Sequence, residues 1–206
     1  KTAVNFIHNS QACKKMLALL EKERPDIVHF HNIYHQLTPA LIKVARNFGS
    51  KTVLTAHDYK IVCPSYSMLR DGKVCDSCIT GTVFNAFRYR CQEGSASKSL
   101  LLSPEATWQY IAQNYQALDV IISPSVFLRG ILLRTLPNSR IDVIVNGVDD
   151  SRPLAEVSDE GYMLYFGRLS REKGVATLLE AHKKMQNSAT LKVVGHGPLH
   201  DELAAK

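Results

Sequence analysis

The chain has 206 residues, 45% hydrophobic and 21% charged, with 11 Gly, 8 Pro and 5 Cys. That composition can bury a sizeable core, and it excludes disorder, collagen and low-complexity fibre. The 25 Lys and Arg against 19 Asp and Glu leave a formal charge of +6, which suits nucleotides, lipid head groups or nucleic acid without choosing among them.

No run approaches the roughly 20 uninterrupted apolar residues of a membrane-spanning helix. The chain opens on Lys1 without the order of a signal peptide, so a processed protein or a piece of a longer one is expected. Cys13, Met16, Leu17 and Leu20 recur at helical spacing, in a helix that ends before Pro25. DIVHF, residues 26–30, reads as a strand. Of His29 and His31, one is expected to turn into a core or a helix interface, and His29 is taken as the structural one. LTPALIKVARNFG predicts a helix with Thr38 as N-cap, Pro39 in its first turn and Gly49 closing it. KTVLTA, residues 51–56, is the next strand. Its carboxyl end delivers His57, Asp58 and Tyr59 to the edge where open α/β sheets bind ligands.

From about Lys60 to Ser97 the periodicity breaks, and the segment reads as an insertion rich in Cys, Gly and aromatics. Counted to Lys98, it holds Lys60, Arg70, Lys73, Arg88, Arg90 and Lys98 against Asp71, Asp76 and Glu93, much of the basic excess. A helix is expected to start at Ser103, Pro104 and Glu105. ALDVIISPS is a buried strand, VFLRGILLRTL a helix capped by Ser125, and RIDVIVNGVD a strand ending in a turn of Asn146, Gly147 and Asp149 in which Gly147 supplies positive φ. Strands alternating with helices imply a parallel sheet. The polar stretch DSRPLAEVSDEG places a domain boundary between residues 155 and 156. YMLYFGRL, EKGVATLLEAHKKM and TLKVVGHGP then begin a second β-α-β unit. Two strands with about two helices do not close a core, so the second domain, 156–206, is expected to be cut short.

GRLSREKG, Gly167 to Gly174, follows a strand and opens a helix. Arg168 can grip a diphosphate through its fork, Lys173 adds a point charge, and a helix amino terminus adds backbone donors. Taken alone, such a loop reads more readily as solvated surface than as a diphosphate site. Its company is more specific: PDIVHFHN, TAHDY, ISPS, VIVNGVD, YFGRLSREKG and LKVVGHGP, in that order, resemble the family 4 glycosyltransferases of the GT-B fold over essentially the whole chain.

The resemblance implies an α/β chain: an incomplete Rossmann-like acceptor domain over 1–155, then the start of a Rossmann-like donor domain. Gly167, Arg168 and Lys173 match residues that hold the donor diphosphate, and Gly195 and Gly197 match the turn where the nucleotide meets the backbone. His57 matches the histidine that faces the donor sugar, helped by Asp58 orienting the loop; read without the resemblance, His57 is a hydrogen-bonded histidine in a buried turn. Asn32 and His35, with Asp58, would lie on the acceptor side. The family retains anomeric configuration, usually without a metal, since the basic pair neutralises the leaving diphosphate. His57, Arg168 and Lys173 are thus the expected catalytic residues and a nucleoside-diphosphate sugar the expected donor, with no catalytic cofactor. The expected acceptor is a carbohydrate or a lipid-linked one, in polysaccharide, lipopolysaccharide or glycolipid synthesis. The family's Gly-rich acceptor-domain loop and its pair of glutamates after GxGP have no match here, so these 206 residues alone are expected to be inactive.

Cys63, Cys75, Cys78 and Cys91 are spaced C-x11-C-x2-C-x12-C, while Cys13 stands apart. They suit a structural tetrathiolate zinc site, reduced free thiols, or two disulfides in an oxidising compartment. Similar cysteine-bearing insertions occur in a bacterial subset of the family. The odd cysteine count favours a reducing, cytoplasmic setting, and the basic charge suits the inner face of an anionic membrane. The rivals are a sugar-nucleotide epimerase or phosphorylase of the same fold, and a zinc-knuckled nucleic-acid-binding module. Dispersed basic residues without interleaved aromatics argue against the last, so no nucleic acid is expected as partner.

Overall fold

The computed structural model describes residues 3–149, 160–186 and 189–204. Packing divides the chain into two units, Lys1–Gly147 and Val148–Lys206. The boundary expected between residues 155 and 156 lies outside the described residues.

The first unit runs α1 (Ala3–Ile7), α2 (Ser10–Glu23), β1 (Ile27–His31), α3 (Ala40–Phe48), β2 (Lys51–Thr55), β3 (Leu69–Arg70), β4 (Lys73–Val74), α4 (Ser77–Thr80), α5 (Asn85–Arg88), α6 (Ala96–Ile111), β5 (Val120–Ser123), α7 (Val126–Leu133) and β6 (Ile141–Val143). Four strands form one sheet in the order β1-β2-β5-β6, every pairing parallel. Leu54 and Ile121 at its centre and Leu20, Ile42 and Leu132 from the helices are essentially fully buried in one core. At the amino end of the strands, Asp119 locks β2 to the chain entering β5. Its Oδ2 accepts from Thr52 N at 2.8 Å and from Thr52 Oγ1 at 3.0 Å, and the Thr52 backbone bond does most to hold its pKa down.

Caps fix the helix ends. Asn9 Oδ1 accepts from Ala12 N at the start of α2, and Ser125 Oγ accepts from Leu128 N at the start of α7. Gly49 closes α3 at φ +109°. Three expectations shift. Pro39, not Thr38, is the N-cap of α3; Thr38 sits at φ +68°, where its hydroxyl receives the Asn9 N–H instead. The helix expected from Ser103 starts at Ala96, capped by Ser95 accepting from Lys98 N. Pro104 therefore lies inside it, losing one backbone bond in a turn that carries the exposed Leu100 and Leu101. Gly147 does not take the positive φ expected of it.

The insertion holds only short elements. β3 and β4 form a hairpin, Leu69 opposite Val74, turned by Asp71 and Gly72 at φ +51° and +75°, as a two-residue type I′ turn requires. In the second unit β7 (Tyr162–Phe166), a 3-10 turn (Arg171–Lys173), α8 (Val175–Lys183), β8 (Thr190–Val194) and α9 (His200–Ala204) follow in order. β7 and β8 pair in parallel, Tyr162 opposite Thr190.

Among the described residues of the first unit, one ion pair is buried. Lys60 Nζ donates to Glu105 Oε2 at 2.8 Å and to the Pro64 carbonyl at 2.9 Å. Both side chains are almost wholly buried, at 2% and 1% exposure. Removing one partner of such a pair strands the other charge and costs about 3–5 kcal/mol. Glu105→Ala should therefore lower unfolding free energy by about that amount, while Lys60→Met with Glu105→Leu recovers most of it. Denaturant melts of the three proteins check this; equal losses in the single and double variants would contradict it.

Candidate functional site

The carboxyl ends of β1 and β2 bring three histidines together. Along β1, Phe30 enters the core while Ile27, His29 and His31 stand on the exposed side. A spacing of two is one full strand period, so His29 and His31 share a face; neither turns into the core, contrary to expectation. Register sets His31 opposite Thr55. His29 Nε2 meets Thr55 Oγ1 at 2.8 Å, and His31 Nδ1 meets His57 Nε2 at 2.8 Å. Ring centroids lie 4.3 Å apart for His29–His31 and 5.1 Å for His31–His57. In the His31–His57 contact one nitrogen carries the proton and the other accepts, so each ring fixes its neighbour's tautomer. His57 is exposed at the head of the loop after β2, not in a buried turn. Partial burial, then the charges of His31 and His57, lower the pKa of His29.

Beside this edge lies a second polar group. Asp58 Oδ1 accepts from Lys60 N at 2.8 Å, which closes the turn after His57. His35 stacks on Phe6 with centroids 4.7 Å apart and rings nearly coplanar. Burial, then the Lys60 charge, push its pKa down to about 4. Burial, then Asp58, push Tyr34 up, and the fully buried Tyr115 is raised by burial, then Glu105, Tyr34 and Asp58. Tyr34 Oη, His35 Nδ1 and Glu105 Oε1 are buried without a hydrogen bond of normal geometry. Glu105 and Lys60 also line a cavity of about 520 Å³, with Phe84, Tyr110, Arg134 and Leu136 among its walls. Of the expected acceptor-side residues, Asp58 and His35 thus share one network, and Asn32 is exposed in the left-handed turn after β1. Lys60, Glu105 and Tyr34 escaped the sequence reading, because nothing local marks a buried pair 45 residues apart.

In the second unit Arg168 and Lys173 are exposed. Between them Ser170 Oγ donates to Glu172 at 2.6 Å. That bond does most to hold the Glu172 carboxyl down, and the nearby charges of Arg168 and Lys173 add to it. The GHGP turn lies directly on the GRL segment: Gly167 N donates to Val194 O at 3.0 Å and Leu169 N to His196 O at 3.1 Å. A Cβ at Gly195 would run into the Gly167 carbonyl, and one at Gly197 would stand 2.7 Å from Leu169 N. Both glycines are demanded by this backbone approach alone. His57 belongs to the first unit and Arg168, Lys173, Gly195 and Gly197 to the second.

Cys63, Cys75, Cys78 and Cys91 all line one small space of about 10 Å³, and all are free thiols. Burial, then Cys63, Cys91 and Cys75, push Cys78 up to about 12. Among the described residues no group of three or more His, Cys, Asp or Glu is arranged to hold a metal ion as it stands, and no helix is long and apolar enough to cross a membrane.

A parallel Rossmann-like sheet with a polar, histidine-bearing carboxyl edge places these side chains where open α/β proteins bind ligands. The model of Glycosyltransferase Family 4 matches residues 4–152, more than half of the chain. The chain belongs to that family, and its fold is of the GT-B type. No curated protein matches it.

Two expectations follow from this geometry. Between pH of about 6.5, the ordinary value, and about 4, unfolded His35 binds a proton that folded His35 does not. Stability therefore rises with pH through that window and is lost as pH falls through it. His35→Phe, which keeps a ring against Phe6, should flatten the dependence relative to the parent; superimposable slopes would contradict the assignment. Gly197→Ala should force the two backbones apart and destabilise the second unit by about 1–3 kcal/mol. Hydrogen exchange at Leu169 N–H reads this directly, and unchanged protection would refute it.

Proposed function

We propose that this glycosyltransferase domain belongs to a retaining enzyme that moves a sugar from a nucleoside-diphosphate sugar to a carbohydrate or lipid-linked acceptor, in polysaccharide, lipopolysaccharide or glycolipid synthesis. The observation that supports it best is His57: exposed at the carboxyl end of β2, its ring held by His31, in a chain of family 4. In this reading the bond from the anomeric carbon to the diphosphate oxygen breaks and one to the acceptor oxygen forms. The acceptor hydroxyl gives up its proton and the diphosphate leaves as an anion.

His57 faces the developing positive charge on the sugar ring and stabilises it with the partial negative charge of an unprotonated nitrogen or a carbonyl it positions. In the tautomer in which His57 Nε2–H donates to His31 Nδ1, His57 Nδ1 carries a lone pair that can accept. Arg168 and Lys173 bind the leaving diphosphate, one as a fork and one as a point charge, so no metal is needed there. Gly167, Gly195 and Gly197 let the GRL and GHGP backbones lie against one another at the place where the nucleotide approaches. Asn32, His35 and Asp58 face the acceptor. The charge of +6 supports work at the cytoplasmic face of an anionic membrane, and failure of anionic liposomes to retain the full-length protein at low salt would remove that element.

The test is transfer by the full-length protein against UDP-, GDP- and ADP-sugars. One donor should turn over with retention, and His57→Ala and Arg168→Ala should each lower kcat/KM by about 100-fold or more. No turnover and no nucleotide binding would overturn the reading.

A further inference from the structure

The four cysteines of the insertion come from three separate pieces of chain. Cys63 follows the His57 loop, Cys75 follows β4, Cys78 lies in α4 and Cys91 follows α5. Residues up to 28 apart in sequence have been brought to line one space of about 10 Å³, about one small probe sphere. The elements that carry them are two-residue strands and four-residue helices. Such elements do not persist in water on their own. Short apolar contacts through Val62, Met68 and Ala86 give them little core.

We infer that Cys63, Cys75, Cys78 and Cys91 form a structural tetrathiolate site for a divalent, thiophilic cation of the Zn²⁺ class, which ties the insertion to the loop that carries His57. The backbone is already laid out for it. Cys75 and Cys78 form a C-x2-C turn at the end of the β3–β4 hairpin, with Cys75 N donating to Met68 O at 2.8 Å. Cys91 N donates to Ala86 O at 3.0 Å at the end of α5, and Cys63 N donates to Tyr59 O at 2.8 Å, two residues from His57. Among the described residues the four thiols are not arranged to hold a metal ion as they stand, so binding requires their side chains to turn toward one another.

Binding replaces four S–H bonds by four metal–sulfur bonds and releases four protons, leaving a centre of net charge −2. Neighbours are in place to support that charge. Arg70 lies near Cys91 and stacks on Tyr89, 4.2 Å from the ring centroid. Ser65 and Ser77 hydroxyls stand 3.3 Å from Cys63 Sγ and 3.4 Å from Cys75 Sγ, where each can turn to donate to a thiolate. Four thiolates fill a tetrahedral shell and leave no open position, so the ion stabilises and does not react with substrate. The inference stands apart from the donor chemistry proposed above.

The test is elemental analysis of the full-length protein purified under reducing conditions, with Co²⁺ then substituted for the native ion. About one metal per chain is expected, with the intense visible and thiolate-to-metal charge-transfer bands of tetrahedral Co²⁺. Cys13→Ser should keep the ion and Cys78→Ser should lose it. Because the parent protein is measured directly, a Cys78→Ser variant that fails to fold does not rescue the idea. A reduced parent that binds neither Zn²⁺ nor Co²⁺, thiols that all alkylate freely in the native protein, or two disulfides found by mass would each overturn it.

Discussion

A parallel strand pair cannot be closed by a hairpin, and the first unit follows from that constraint. Each of the pairings β1–β2, β2–β5 and β5–β6 obliges the chain to leave the sheet at one edge, cross over and re-enter at the other. Every strand therefore ends on the same side, so residues far apart in sequence meet there without any attraction between them. His31 and His57 are 26 residues apart and end up 2.8 Å from one another because register places His31 opposite Thr55. At the other edge Asp119 bonds both Thr52 N and Thr52 Oγ1, which resists a slip of β5 against β2. A slip of one residue would turn Leu54 and Ile121 out of the core.

The longest crossover, between β2 and β5, is where the polar chemistry gathers. It leaves the sheet at His57, passes through the cysteine-bearing segment and returns along α6. Apolar burial is thin along this path, and two polar devices hold it. Asp58 turns the loop by accepting from Lys60 N, and Lys60 then reaches across to Glu105 on α6. Desolvating that pair is costly, and replacing it with apolar groups of similar size is often neutral or stabilising. Its use here is position: it sets the loop carrying His57 against one turn of α6. Tyr34, His35 and Glu105 each keep a buried polar atom without a hydrogen bond of normal geometry, with Asp58 among the groups that act on Tyr34.

Strands β1, β2, β5 and β7 are legible in the sequence because β-branched and apolar runs of strand length stand between turn residues, and the Ser125 cap and Gly49 stop name their helices. The misreadings have local causes. Pro104 invites a helix start, but Ser95 offers a cap eight residues before Ser103, inside the insertion, and α6 packs along α5 and α1 from there. Asp71-Gly72, flanked by short β-forming pairs, is a hairpin signal that went unread beside the cysteines. His29 and His31 were legible as a same-face pair from their spacing alone. The Lys60–Glu105 pair was not, because its partners meet only once the crossover has folded.

The two units prepare their polar edges by opposite means. The first places side chains: His57 is held by His31, and Asp58, Lys60 and Glu105 hold the loop beneath it. The second removes them. Gly195 and Gly197 let the GHGP turn bond directly to Gly167 and Leu169, so the ends of β7 and β8 continue as bare backbone with Leu169 buried beneath them. Arg168 and Lys173 then stand exposed on that backbone, one on either side of a Glu172 carboxylate tied back by Ser170. Tying the acid to a hydroxyl keeps it from closing a hydrogen-bonded pair with either cation, at the cost of some screening. In the reading proposed above the loop's cations meet an anion, and each pair formed inside the loop is one that the anion would have to break.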